Sequence, residues 1–269
     1  MKVRLIKLGL WLHTIITTLA GLCLFLYPKT FGTYWPWTLP PLAARFMGSL
    51  LIGGGVCTAL AALAPEPLPV TGPALLGVGD LLIASVGLLA IGETGRSGRM
   101  IVWLLAFTGI ALLLGSLPLL RDRQASRGGG RRPLTRSERN YFRLHLAVVL
   151  PVGLVMFFGP LLGQSLWPWP LSPVNVRLLG AFFVGASILS AWILRQKDWR
   201  EVQPLVALYA VFATLATLAS IIHFNLFNPM RFVTWAFFAL YIFVALGAWF
   251  FLLKSLSRKS RTLDAETAR

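Results

Sequence analysis

Residues 13–56 read HTIITTLAGLCLFLYPKTFGTYWPWTLPPLAARFMGSLLIGGGV, and residues 145–188 read HLAVVLPVGLVMFFGPLLGQSLWPWPLSPVNVRLLGAFFVGASI. Laid over one another without a gap at a spacing of 132 residues, the stretches agree at thirteen positions: His13, Gly21, Leu22, Phe25, Pro28, Trp35, Pro36, Trp37, Leu39, Pro41, Arg45, Gly48 and Gly53. The register continues to Arg99 and Arg231, Trp103 and Trp235, and Gly115 and Gly247. Such a period reads as a tandem duplication. Each half then serves as a comparison for the other, since what both retain reflects a shared requirement.

Apolar residues make up 57% of the 269, charged residues 13%, and mean hydropathy is +0.73. That leaves too little polar surface to cover a water-soluble globule. Apolar runs near 8–27, 42–64, 73–92, 100–120, 144–163, 174–194, 204–224 and 232–253 each suffice to cross about 30 Å of hydrocarbon at roughly 20 residues per helix. Lipid admits only helices or closed barrels, and these runs are too long and too unbroken for barrel strands. The expected fold is an all-α integral membrane protein whose eight transmembrane helices form two four-helix repeats, residues 1–120 and 144–254. A basic connector at 121–143 joins them and a basic tail follows at 255–269. Residues 1–27, with Lys2, Arg4 and Lys7 ahead of an apolar run, have the layout of a removable signal. The same segment recurs as the internal fifth span, so a retained helix is expected. Cys23 and Cys57 are expected toward opposite faces without a disulfide, and no metal-type cysteine spacing occurs.

Basic residues set the orientation. Three lie at the amino terminus, eight in the connector, three at Arg195, Lys197 and Arg200, and five from Lys254 to the end of the tail; these nineteen are expected on the cytoplasmic side of a plasma (inner) membrane, with both termini. The six others are Lys29, Arg45, Arg96, Arg99, Arg177 and Arg231. Four helices per unit are an even number, so the repeats insert in parallel orientation, related by an axis along the membrane normal. The connector contains Gly128, Gly129, Gly130 and Pro133 among its arginines and reads as a flexible hinge. Its aromatic residues are confined to Tyr141 and Phe142 at its far end, so no specific nucleic-acid binding is expected; membrane lipids and other membrane subunits are the expected partners.

Three constellations carry candidate chemistry. On the outer face, Trp35, Trp37 and Arg45 have the copies Trp167, Trp169 and Arg177. Arg99 and Arg231 begin later helices there, each with a tryptophan, Trp103 or Trp235, four residues on, a spacing that permits a cation-π contact. These arginines suit a lipid phosphate or a carboxylate-bearing ligand, or the carbonyls at helix ends. Second, His13 and His145 lie at matched depth near the cytoplasmic ends of their spans, a symmetric pair of the kind that ligates a b-type haem. Third, Asp80 is the one acidic residue deep inside a span, with Phe212 in the matching place. Paired with His13 it would orient the imidazole or relay a proton. Gly48, Gly53, Gly180 and Gly185 read as helix packing, and His223, Asn225 and Asn228 as a solvated outer loop.

No phosphate loop, dinucleotide fingerprint, zinc-protease His-Glu pair or nucleophile elbow is present, and no catalytic or metal-binding set emerges. Two functions fit: a non-catalytic accessory subunit or binder of a lipid or lipophilic cofactor, and a transporter of a small anion working between the two repeats.

Overall fold

The computed structural model describes residues 2–94, 97–120 and 132–267, apart from the side chains at 92–97 and 258–267. It is all helical, with no strand among the described residues. In chain order the helices are α1 (Lys2–Leu26), a short α2 (Pro28–Phe31), α3 (Pro41–Leu63), α4 (Thr71–Ala74), α5 (Leu76–Thr94) and α6 (Ser97–Leu120). Then follow α7 (Arg136–Phe158), a short α8 (Pro160–Leu166), α9 (Pro173–Arg195), α10 (Trp199–Ile222) and α11 (Phe232–Thr267). Eight spans are long and apolar enough to cross a membrane, one of them being the α4–α5 segment over Thr71–Ile91. Leu105, Leu119, Leu161 and Leu246 are exposed on the outside of the bundle, where lipid takes the place of water.

Prolines start the elements that follow each break: Pro28, Pro41, Pro160 and Pro173 open α2, α3, α8 and α9, where a missing N–H costs nothing. The start of α7 is set differently. Thr135 Oγ1 accepts from the Glu138 N–H at 3.3 Å, and Glu138 accepts from the Thr135 N–H at 2.7 Å, a reciprocal cap. Glu138 is fully buried and takes two further bonds from the Arg132 guanidinium, at 2.5 and 3.2 Å. Arg132 in turn lies 4.4 Å from the centre of the Trp199 ring.

Two expectations change as a result. Residues 136–143, read as flexible connector, are helix, and the basic tail is helical as far as Thr267, continuing α11; residues 121–131 lie outside the described residues. Hydropathy begins the first and fifth spans near 8 and 144, whereas the helices begin at Lys2 and Arg136. His13 and His145 therefore sit near the middles of α1 and α7. Polar first turns hid these starts, because charge and capping lower hydropathy without interrupting a helix.

In packing, α1 lies along α3, α7 along α9, α5 along α6 and α10 along α11, while α3 also packs on α10 and α5 on α9. Glycines set the closest approaches. A Cβ on Gly48 would stand 2.6 Å from the Gly21 carbonyl oxygen and 2.8 Å from the Phe25 nitrogen. At Gly180 it would press into the Met156 and Phe157 backbone, and at Gly153 it would stand 2.9 Å from the Val184 nitrogen. Backbone cannot swing aside as a side chain can. Gly48→Ala and Gly180→Ala should each lower stability by about 1–3 kcal/mol, whereas Gly115→Ala, with nothing within 4 Å, should change little. Thermal unfolding in detergent measures the difference; equal melting of all three variants would contradict this packing.

Candidate functional site

A partly open cavity of about 90 Å3 lies within the bundle, with walls from α1, α3, α5, α7, α9, α10 and α11. Its lining is mostly Leu, Phe, Val, Ile, Ala and Gly, and into this apolar space come His13, Thr17, Asp80, His145, Tyr209 and Tyr241. The structure thus brings His13, His145 and Asp80, which lie far apart in the chain, to one enclosure.

Each imidazole is held through Nδ1. His13 Nδ1 lies 3.0 Å from Thr58 Oγ1 on α3, and His145 Nδ1 lies 2.9 Å from Ser190 Oγ on α9. The hydroxyls, like the histidines, are 132 residues apart. Thr58 is also 2.9 Å from Thr14 Oγ1, and Ser190 is 3.0 Å from the Tyr209 hydroxyl. The expected His13–Asp80 bond does not orient the ring; Thr58 does, and Asp80 Oδ2 has no hydrogen-bond partner among the described residues. The Tyr241 hydroxyl is likewise buried without one. No three His, Cys, Asp or Glu side chains come together as a metal-binding group among the described residues.

The tryptophans and arginines singled out in the sequence lie outside the cavity lining, in the connecting segments and the early turns of the helices that follow them. Trp35, Trp37, Trp103, Trp167 and Trp169 are buried. Trp37 and Trp103 sit 5.2 Å apart, ring centre to ring centre, and Trp169 packs 5.2 Å from Phe237. The Trp37 indole N–H donates to Asn175 Oδ1 at 3.0 Å, a bridge from the first half of the chain to the second. Trp235 is exposed and donates to the Pro229 carbonyl at 2.9 Å.

Three of the arginines hold backbone carbonyls. Arg45 Nε donates to Phe25 O at the end of α1, 3.1 Å away. Arg99 donates to Thr33 O at 2.9 Å, and Arg231 to Ser165 O at 2.7 Å and Trp167 O at 3.1 Å. Arg177 is half-buried in the first turn of α9. The stacking that the spacing permits, of Arg99 and Arg231 on Trp103 and Trp235, does not form; among the described residues an arginine lies over a tryptophan ring at Arg132 and Trp199. Arginine serves here as a clamp on carbonyls that lipid would leave unsatisfied.

His223, expected to be solvated, is half-buried and accepts a hydrogen bond from the Arg45 guanidinium. Sequence reasoning also missed Thr58 and Ser190, whose register was visible as a shared hydroxyl though not as an identity. Tyr209 and Tyr241 left no such trace, because Gly77 and Gly109 occupy the matching places. The Thr135–Glu138 spacing is a capping signature that was legible and passed over.

Burial and the neighbouring Arg45 cation lower the His223 pKa from its ordinary 6.5. The unfolded chain therefore takes up this proton first, so the stability held above 6.5 should decline as pH falls toward the lowered folded value. Melting temperatures at about pH 7.5 and about pH 5.5 should show a larger acid loss in the wild type than in His223→Gln; equal losses would contradict the Arg45 contact. The sequence matches no family model, and no curated protein or solved structure matches it.

Proposed function

We propose that this chain is a membrane-embedded binding protein that holds the polar end of a lipophilic molecule in its central cavity. The observation that carries this reading is the composition of the cavity: apolar walls with a few convergent polar groups, two of which lack partners among the described residues. Binding sites for small lipophiles have this make-up, since the walls take up the hydrocarbon and a few polar groups fix its orientation.

The architecture proposed with it is two parallel four-helix units of common origin. Matched bonds support this: His13 with Thr58 and His145 with Ser190, and Arg99 with Thr33 and Arg231 with Ser165. All four pairs of positions are 132 residues apart. The cavity then lies where sites in parallel-repeat membrane proteins are found, between the units near mid-depth. The distribution of Lys and Arg supports an orientation with both termini in the cytoplasm and residence in the plasma (inner) membrane, among lipids and other membrane subunits. The anion-carrier reading depended on arginines available to a solute, and Arg45, Arg99 and Arg231 are engaged with carbonyls.

Gly79 lines the cavity, and a Cβ there meets nothing within 4 Å, so Gly79→Leu should fill the space while leaving the fold intact. Protein purified in a mild detergent and extracted into organic solvent should release a lipophile in near-stoichiometric amount from the wild type, and about tenfold less from Gly79→Leu. Mass spectrometry reads the result. The same bulk lipids in the same proportions from both proteins would overturn the proposal.

A further inference from the structure

Counting the hydroxyl protons around the two histidines determines which ring nitrogen carries the proton. Tyr209 Oη lies 2.7 Å from the Ala186 carbonyl oxygen and 3.0 Å from Ser190 Oγ. A carbonyl oxygen only accepts, and two oxygens 2.7 Å apart without a proton between them repel. Tyr209 therefore donates to Ala186, and its oxygen accepts from Ser190. Ser190 has one proton, which is now committed, so it accepts from His145 Nδ1–H. The same reasoning holds for the other ring. Thr14 Oγ1 donates to the Leu10 carbonyl at 2.9 Å and accepts from Thr58, which in turn accepts from His13 Nδ1–H. Thr58 also lies 3.2 Å from the Gly54 and Gly55 carbonyls, which only accept, and donation to either leaves the same role for His13.

Each ring thus carries its proton on Nδ1, the nitrogen that meets a hydroxyl, and leaves Nε2 unprotonated. The two chains of hydroxyls reach this tautomer through different third members. Thr14 has Leu146 in the matching place, and Tyr209 has Gly77.

Building on the proposed binding role, we infer that the ligand of this cavity is a lipophile whose polar end donates a hydrogen bond, an alcohol or phenol as opposed to an ether, ester or quinone. Both imidazoles offer acceptors, and an acceptor-only ligand would leave their lone pairs unpaired in an apolar enclosure. Tyr241 adds the complement. Its hydroxyl proton is uncommitted among the described residues, and a hydroxyl group, unlike an ammonium, accepts as well as donates.

Two measurements test this. In the first, wild-type protein is equilibrated with equal amounts of hexadecanol and hexadecyl methyl ether, re-isolated, and the retained compounds quantified by mass spectrometry. The alcohol should be enriched about tenfold over the ether, and Gly79→Leu should retain neither. Equal retention of both by the wild type would overturn the donor requirement while leaving the binding role standing. Retention of neither above the Gly79→Leu level would overturn both. The second measurement is 15N magnetic resonance of histidine-labelled protein in bilayers, where both rings should show protonated Nδ1 and bare Nε2. In Tyr209→Phe, Ser190 regains a proton to give, so His145 should shift toward Nε2–H while His13 stays unchanged. Protonated Nε2 on either ring of the wild type would overturn the inference.

Discussion

Backbone-to-backbone approach of α1 on α3 and of α7 on α9 is the constraint from which the interior follows. Lipid offers helices little hydrophobic reason to associate, so close van der Waals contact and interhelical hydrogen bonds must hold them together. Gly21 against Gly48, and Gly153 against the Val184 backbone, remove the side chains that would keep those helices apart. Only at that separation can an imidazole on one helix reach a hydroxyl on the next, as His13 reaches Thr58 and His145 reaches Ser190. The histidines are buried because the glycines are small.

Polar groups in this bundle fall into two sets. Most are consumed internally: Arg45, Arg99 and Arg231 on carbonyls, Arg139 on the Leu194 and Gln196 carbonyls at the end of α9, and Glu138 on Arg132 and the α7 cap. This is the pattern demanded by a medium that supplies no water to unpaired donors and acceptors. A smaller set is buried without a partner among the described residues; it includes the indole nitrogens of Trp35, Trp103, Trp167, Trp169 and Trp199, and two of its members, Asp80 Oδ2 and Tyr241 Oη, belong to residues that line one cavity with both histidines. The histidines and their hydroxyls occur in both halves of the chain, whereas Asp80, Tyr209 and Tyr241 occur in one. A matched frame therefore surrounds an unmatched set of groups, as expected of a site that holds one ligand in one orientation.

The eight spans were legible because an unbroken apolar run of about 20 residues matches the thickness of a bilayer and is longer than a water-soluble fold normally uses. The histidine pair was legible because the period made it so. Helix starts were not, since Thr135 and Glu138 begin α7 through hydrogen bonds that hydropathy does not register. The arginines stand out in the sequence, yet what they bind depends on loop carbonyls such as Thr33 O and Ser165 O, whose positions only the folded chain reveals. Trp35 and Trp37 stand out through their copies Trp167 and Trp169; their burial follows from where α6 and α9 pack, which composition does not encode. Asp80 could be placed inside a span but not in one cavity with Tyr241, because that meeting depends on helices far apart in the chain.

The central claim is that His13, Asp80 and His145 enclose a ligand. An experimental density map of the protein, purified without lipid exchange, tests it most directly. The account predicts non-protein density bounded by His13, Asp80 and His145, with each imidazole Nδ1 on its hydroxyl and each Nε2 turned to that density. Histidines lying in separate spaces, or side chains closed on one another across the centre, would contradict it.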